Sequence, residues 1–172
     1  MVLNPDKDFF MKRTIPVVFC FFLAACGFQL RGTASLPFET LYISSPAGNP
    51  IGTDLRRFIK AGTTTRIVDN PKDAAATLEV ISAVNERQIM SVSGGGRVRE
   101  FDLRYRVSFR LIDAKGAELI PANEIALRRI LPFTDAQVVA KEGEEAMLVR
   151  EMQSDAAAQI LRRLEAVHVA EG

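Results

Sequence analysis

From Phe101 the chain places an apolar side chain at every second position, through Leu103, Tyr105, Val107, Phe109 and Leu111, with Asp102, Arg104, Arg106, Ser108 and Arg110 in the gaps. Side chains alternate faces along an extended backbone, so six apolar positions at period two require a strand with one face on a core. Its other face, which carries three arginines, meets water or a polar partner. The rest of the chain therefore has to supply a sheet for this strand and a layer to cover it.

The flanking segments have the patterns to do so. Thr77 to Ser93 reads as a long strand with Leu78, Val80 and Val84 on one face, and Ser91 to Gly96 links it to the alternating strand as a flexible glycine-rich hairpin loop. After a turn at Asp113-Ala114-Lys115-Gly116, Ile125 and Leu127 mark a further strand to about Leu131, ended by Pro132. Upstream, Thr40 to Ser44 is a strand. Asn49 can then cap a helix with Pro50 in its first position, apolar Ile51, Leu55, Phe58 and Ile59 at helical spacing, and Gly62 as its stop. Thr64 to Asp69 completes a parallel βαβ unit, for which a right-handed crossover is expected.

From Thr134 the period turns helical, with capping-box spacing between Thr134 and Gln137. Leu148, Met152, Ala156, Ile160 and Leu164 form a stripe that Val149, Ala157 and Leu161 widen, while Gly143 marks a bend or an uncapped first turn. The expected fold class is α+β: a two-layer α/β sandwich with two helices on one face of a mixed four- to five-stranded sheet.

The first residues follow another logic. Lys12-Arg13, the apolar run Ile15 to Phe22 and then Leu23-Ala24-Ala25-Cys26 make a bacterial lipoprotein export signal. Ile15 to Ala25 is far shorter than the roughly 20 residues needed to span a bilayer. Asp6 and Asp8 sit badly in a positive leader, so residues 1–10 read as a start-site extension ahead of Met11. The expected organisation is a leader over 1–25, a lipidated tether over 26–37, one domain over 38–166 and a short tail over 167–172. Cys26 is the lipidation site, and through it the chain is attached to a membrane.

Cleavage would remove three basic residues (Lys7, Lys12, Arg13) and two acidic ones (Asp6, Asp8), leaving nineteen of each in a 147-residue mature chain. A balanced charge argues against nucleic acid as a partner, since that needs a net basic surface. Cys20 leaves with the leader and the Cys26 sulfur carries lipid, so no thiol remains for a disulfide, a metal or catalysis. His168, the lone histidine, lies in the tail, and serine nucleophiles lack a base to activate them. Glu142, Glu144 and Glu145 suit a solvated helix start better than a metal site. These absences point to a chain that is not an enzyme and has no cofactor and no metal site.

Gly94-Gly95-Gly96-Arg97 invites a phosphate-loop reading, but it joins two strands and lacks the lysine and hydroxyl of a nucleotide loop; a hairpin tip is the better reading. The arginines carry more weight. Arg97, Arg99, Arg104, Arg106 and Arg110 stand against only Glu100 and Asp102, and Arg104, Arg106 and Arg110 share one strand face. Guanidinium forks match phosphate and carboxylate, so this face suits an acidic ligand. It equally suits a solvated sheet face crossed by salt bridges, and the pattern leaves the two even.

The opening Cys26-Gly27-Phe28-Gln29-Leu30-Arg31-Gly32, together with Gln137-Val138-Val139-Ala140-Lys141-Glu142 and Gln159-Ile160-Leu161-Arg162-Arg163-Leu164 in the final helix, resembles the LPS-assembly lipoprotein family LptE. The likeness extends over residues 26 to 165. It implies a non-enzymatic lipoprotein of the outer membrane, anchored on its periplasmic side. Such a protein plugs the large β-barrel LptD, helps it assemble and assists delivery of lipopolysaccharide to the outer leaflet. It further implies lipopolysaccharide contact by Lys141 and Arg97, with Arg104, Arg106 and Arg110 as additional candidates. The alternative is a periplasmic adaptor that uses the basic sheet face for another acidic ligand.

Overall fold

The alternating strand lies inside the sheet. The computed structural model describes residues 35–133 and 138–167, with side chains from 142 onward in the second segment. Five strands, β1 (Thr40–Ser44), β2 (Arg66–Val68), β3 (Ala76–Val92), β4 (Val98–Asp113) and β5 (Glu118–Pro132), form one open sheet in the order β2-β1-β3-β4-β5. Helix α1 (Ile51–Gly62) connects the parallel pair β1 and β2, and β3 returns parallel to β1 on its other side. The segment β3-β4-β5 is an antiparallel meander. Helix α2 (Val138–Glu165) follows. The expected α+β sandwich, two helices on a mixed sheet, is the observed architecture, with five strands.

Periodicity explains the layers. Leu103, Tyr105, Val107, Phe109 and Leu111 are fully buried, and they share one core with Leu41, Ile43, Leu78 and Val80 of the neighbouring strands. Ile51, Leu55 and Ile59 of α1 and Met152, Ala156, Ala157, Ile160 and Leu164 of α2 enter the same core. The stripe positions Leu148, Val149 and Leu161 are half-buried against it. Burying one large apolar side chain contributes about 1.5–3 kcal/mol, so this face dominates stability. Leu36 and Phe38 are buried in this core as well, so its N-terminal limit includes Leu36, which the sequence reading placed in the tether.

Several local expectations shift for identifiable reasons. Val84 faces away from Leu78 and Val80, because a bulge between Val80 and Ser82 inserts one residue and swaps the faces of everything after it. Val84 thus stands opposite Arg106. Strand β5 begins at Glu118, not near Ile125, because pairing with β4 carries it through Pro121 and Asn123 despite their weak strand preference. It also contains Pro132 as its last residue, which an edge strand tolerates. The β2 strand is confined to Arg66–Val68.

Helix α1 includes Gly62 and stops at Thr63, whose extended backbone (φ −136°) and whose N–H and hydroxyl both donate to the Ile59 carbonyl. At its other end the Asn49 side chain accepts from the Ile51 N–H at 3.0 Å and donates to the Ala83 carbonyl at 3.1 Å. It thereby ties the β1–α1 loop to β3. Helix α2 runs unbroken through Gly143. Thr134 and Gln137, the expected cap, lie outside the described residues.

One core group is polar. The Tyr105 hydroxyl is buried without a hydrogen-bond partner among the described residues, and burial foremost, then the charge of Asp54, pushes its pKa up to about 12 from 10.0. A phenol that resists ionisation in the folded state contributes its stabilisation fully below pH 10 and loses it as pH rises through about 12. We expect Tyr105→Phe to be at least as stable as the parent near pH 7, because an unsatisfied buried hydroxyl is removed. Between pH 10 and 12 the parent should lose about 2–3 kcal/mol more than the variant. Urea unfolding of both proteins at stepped pH measures the difference.

Candidate functional site

The face of the sheet turned away from the helices is the most distinctive surface of the described residues. Cross-strand register sets its chemistry. Glu79 of β3 stands opposite Arg110, Glu86 opposite Arg104, and Val84 opposite Arg106, while on the other side Glu124 of β5 faces Ser108 and Arg128 faces Arg104. Side chains directly opposite or one step diagonal are within reach of one another. Three ion-pair groups result. Arg110 pairs with Glu79 at 2.6 Å and with Glu118 at 3.7 Å. Arg106 pairs with Glu86 at 2.7 Å. Asp102 pairs with Arg104 and with Arg128, each at 2.7 Å.

Asp102 is the keystone of the third group. Register sets two like charges, Arg104 and Arg128, opposite each other, a destabilising arrangement unless a counter-charge intervenes. Asp102 lies one step along the same face and puts one carboxylate oxygen on each guanidinium. Between Gln88 and Ile130, and paired with both arginines, it is only 3% exposed. The Arg128 hydrogen bond above all, then that from Arg104 and the two charges, hold its carboxyl below the usual carboxylate range against the opposing effect of burial. Hydrogen bonds to Glu86 and Glu79 likewise raise Arg106 and Arg110 above the ordinary guanidinium value.

Arg104, Arg106 and Arg110 therefore do share one face, as the alternation predicts, and each is already engaged with a carboxylate. Their side chains remain 43%, 47% and 39% exposed, so N–H donors on each guanidinium still reach solvent. The solvated, salt-bridged reading describes the face as it stands. Asp102 and Arg128 went unrecognised as a pair in the sequence because the start of β5, and hence the register that opposes Arg128 to Arg104, was not legible there. Their signal was the lone acid in the alternating run.

Arg97 lies elsewhere. It closes the β3–β4 hairpin, where its N–H donates to the Ser93 hydroxyl at 3.2 Å, its carbonyl accepts from the Ser93 N–H at 2.7 Å and Gly96 adopts φ +75°. Seven residues separate it from Arg104, roughly 23 Å along a strand. Lys141 belongs to the first turn of α2, and its side chain lies outside the described residues, as does Cys26. Further along α2, Glu145 accepts from Arg87 of β3, opposite Leu103 midway along β4, at 2.7 Å, and Arg163 near the other end of α2 donates to Asn123 of β5. Arg97 thus lies apart from the central ion pairs, at the hairpin.

Arg87 also stacks on the Phe101 ring, 4.7 Å from its centroid, and Phe101 packs edge-on to Phe133. A cleft of about 510 Å³ beside these residues is lined by Asn85, Arg87, Glu142, Glu145, Val149 and Arg150 among others. No group of three or more metal-ligating side chains stands together among the described residues, and none of their helices is long and apolar enough to cross a membrane.

Residues 38–164 match the family described as LptE, Lipopolysaccharide-assembly. An LPS-assembly lipoprotein LptE of Yersinia pestis is 30% identical over 153 residues, covering 86% of this chain and 72% of the relative. Among solved structures, an uncharacterized lipoprotein B from Nitrosomonas europaea is 50% identical with a TM-score of 0.72, covering 81% of this chain and 91% of that one. The rare lipoprotein B from Shewanella oneidensis is 28% identical with a TM-score of 0.64, covering 74% and 94% respectively.

Asp102→Asn tests the keystone. A depressed carboxylate contributes stability above its unfolded pKa of 3.8 and loses it as pH falls through the folded value. The variant should melt several degrees below the parent at pH 7, and the gap should close as pH drops below about 3.8. Thermal unfolding followed by circular dichroism over pH 2.5–7 reads both.

Proposed function

The chain belongs to the LptE lipopolysaccharide-assembly family, and from that premise we propose that it is an outer-membrane lipoprotein, lipidated at Cys26, that plugs and helps assemble the β-barrel LptD. The family's role is lipopolysaccharide assembly, which is not a catalytic one, and we read this chain as acting without catalysis. Its carrying observation is the open sheet face. Among the described residues no element covers it, and its ion-paired side chains suit a polar partner.

The physics of a barrel lumen explains why that matters. Wide outer-membrane barrels have polar interiors and apolar exteriors. A plug therefore needs a surface that is polar yet close to neutral, since an uncompensated charge loses hydration on insertion. The ladder Arg110–Glu79, Arg106–Glu86 and Arg104–Asp102–Arg128 meets both conditions. It carries little net charge, and its remaining N–H donors can bond to a lumen wall. That compensation disfavours the adaptor alternative, in which the same arginines would be needed for an acidic ligand.

Within this reading, delivery of lipopolysaccharide to the outer leaflet draws on Arg97 and Lys141. Their cationic groups are suited to the glycolipid's phosphates. Arg104, Arg106 and Arg110 would add contacts only through donors that their carboxylates leave over. Anchoring rests on lipid alone: one acyl chain binds a membrane marginally, whereas several hold it stably. The folded domain then needs no membrane-binding face of its own.

Two outcomes are expected. Purification of the tagged, lipidated chain from membranes in mild detergent should recover a large β-barrel in equimolar amount, and its absence would reject the plug. With Arg97→Glu and Lys141→Glu combined, the purified full-length lipoprotein should bind lipopolysaccharide at least tenfold more weakly while still recovering the barrel. Loss of both together would assign these residues to the barrel interface instead.

A further inference from the structure

Strand β1 covers β3 only over Ala76–Glu79. From Ser82 to Ile89, between two bulges, β3 pairs regularly with Ser108 to Phe101 of β4, and no strand among the described residues pairs with its other edge. Backbone groups alternate sides along such a strand. The Ala83 carbonyl points outward, because it accepts from the Asn49 side chain at 3.1 Å on the β1 side. The Asp113 N–H donates to the Ala117 carbonyl on the β5 side, so the even-numbered residues of β4 turn their backbone groups to β3 and bond Val84, Glu86 and Gln88. Both contacts leave the N–H and C=O groups of Asn85, Arg87 and Ile89 directed out of the sheet. No proline stands in this stretch to block further pairing.

The side chains of Asn85 and Arg87 lie on the helix side, where they form one wall of the cleft of about 510 Å³ whose other wall is α2, with Val149, Arg150 and Gln153. An open sheet edge beside a helix suits the addition of an extended segment, whose main chain bonds to the edge while alternate side chains enter the groove. Unpaired backbone groups cannot enter hydrocarbon, so a lipid surface does not satisfy this edge. The cleft sets Arg87 and Arg150 against Glu142 and Glu145, a balance that disfavours a polyanion. What fits is a polypeptide. The edge is also continuous with the open face, because Val84, Glu86 and Gln88 of the same stretch stand opposite Arg106, Arg104 and Asp102. We propose that an extended segment of the barrel protein pairs with β3 from Asn85 to Ile89 as a further strand and sends alternate side chains into the cleft. This rests on the plug reading, which brings the barrel against the open face and hence to its edge. The segment comes from outside the barrel's closed wall, whose strands are already paired on both sides.

Hydrogen exchange read residue by residue tests the pairing, in the full-length lipoprotein alone and in its purified complex with the barrel. The amides of Asn85, Arg87 and Ile89 should exchange roughly thirtyfold or more slowly in the complex, and a smaller change would overturn the proposal. Asn85→Pro removes one outward N–H, which an edge strand tolerates. That variant should keep the parent's circular dichroism spectrum and lose the protection at Arg87 and Ile89, while Asn85→Ala keeps it. Protection retained with the proline would overturn the strand, since an edge merely shielded from water needs no backbone bond. Absence of any barrel in the parent preparation would reject the plug and this proposal together, whereas a recovered barrel with these three amides unprotected would reject the added strand alone.

Discussion

Strand β4 carries the load of both layers at once. Its odd-numbered residues bury the side chains that hold the two helices to the sheet, and its even-numbered residues hold one end of every ion pair on the opposite face. Period two makes these two jobs inseparable. A one-residue slip against β3 would bring the arginines into the core and the phenylalanines to the surface. The bulge at Ile81 shows how closely the register is managed: it changes face on β3 alone, after the last fully covered residue, and so lets the exposed half of β3 present Glu86 to Arg106.

From this follows the unusual character of the open face. It is crowded with guanidinium groups, yet register supplies a carboxylate to each, and in Asp102 a single acid satisfies two. Surface ion pairs individually contribute little, about 0–1 kcal/mol. Their importance here is in neutralising a face without making it apolar, which suits a surface destined to lie against polar protein and distinguishes it from one built to capture an anion. Arg97 lies apart from this face, at the β3–β4 hairpin.

The sequence made much of this legible and hid specific parts of it. The alternation of Phe101–Leu111, the α2 stripe and the βαβ unit are each encoded by local periodicity, so layers and element order could be read directly. The family likeness rested on motifs at both ends of the chain. What stayed hidden depended on pairing between strands. The face of Val84 was set by a bulge that leaves no mark in composition, the start of β5 by hydrogen bonds to β4, and the Asp102–Arg128 contact by the register that follows. Thr63 displaced Gly62 as the helix stop because a hydroxyl and an N–H together satisfied the Ile59 carbonyl. The free edge of β3 could not be seen before it was known that β1 pairs only with Ala76–Glu79.

The central claim is that the neutralised face of β3, β4 and β5 lies against the inner wall of a barrel. Its most direct test is a photoreactive side chain at Ser108, in the middle of that face, illuminated in intact cells. The account predicts one dominant adduct containing a large outer-membrane β-barrel. An adduct with only a small periplasmic protein, or none while the chain still co-purifies with the barrel, would contradict it.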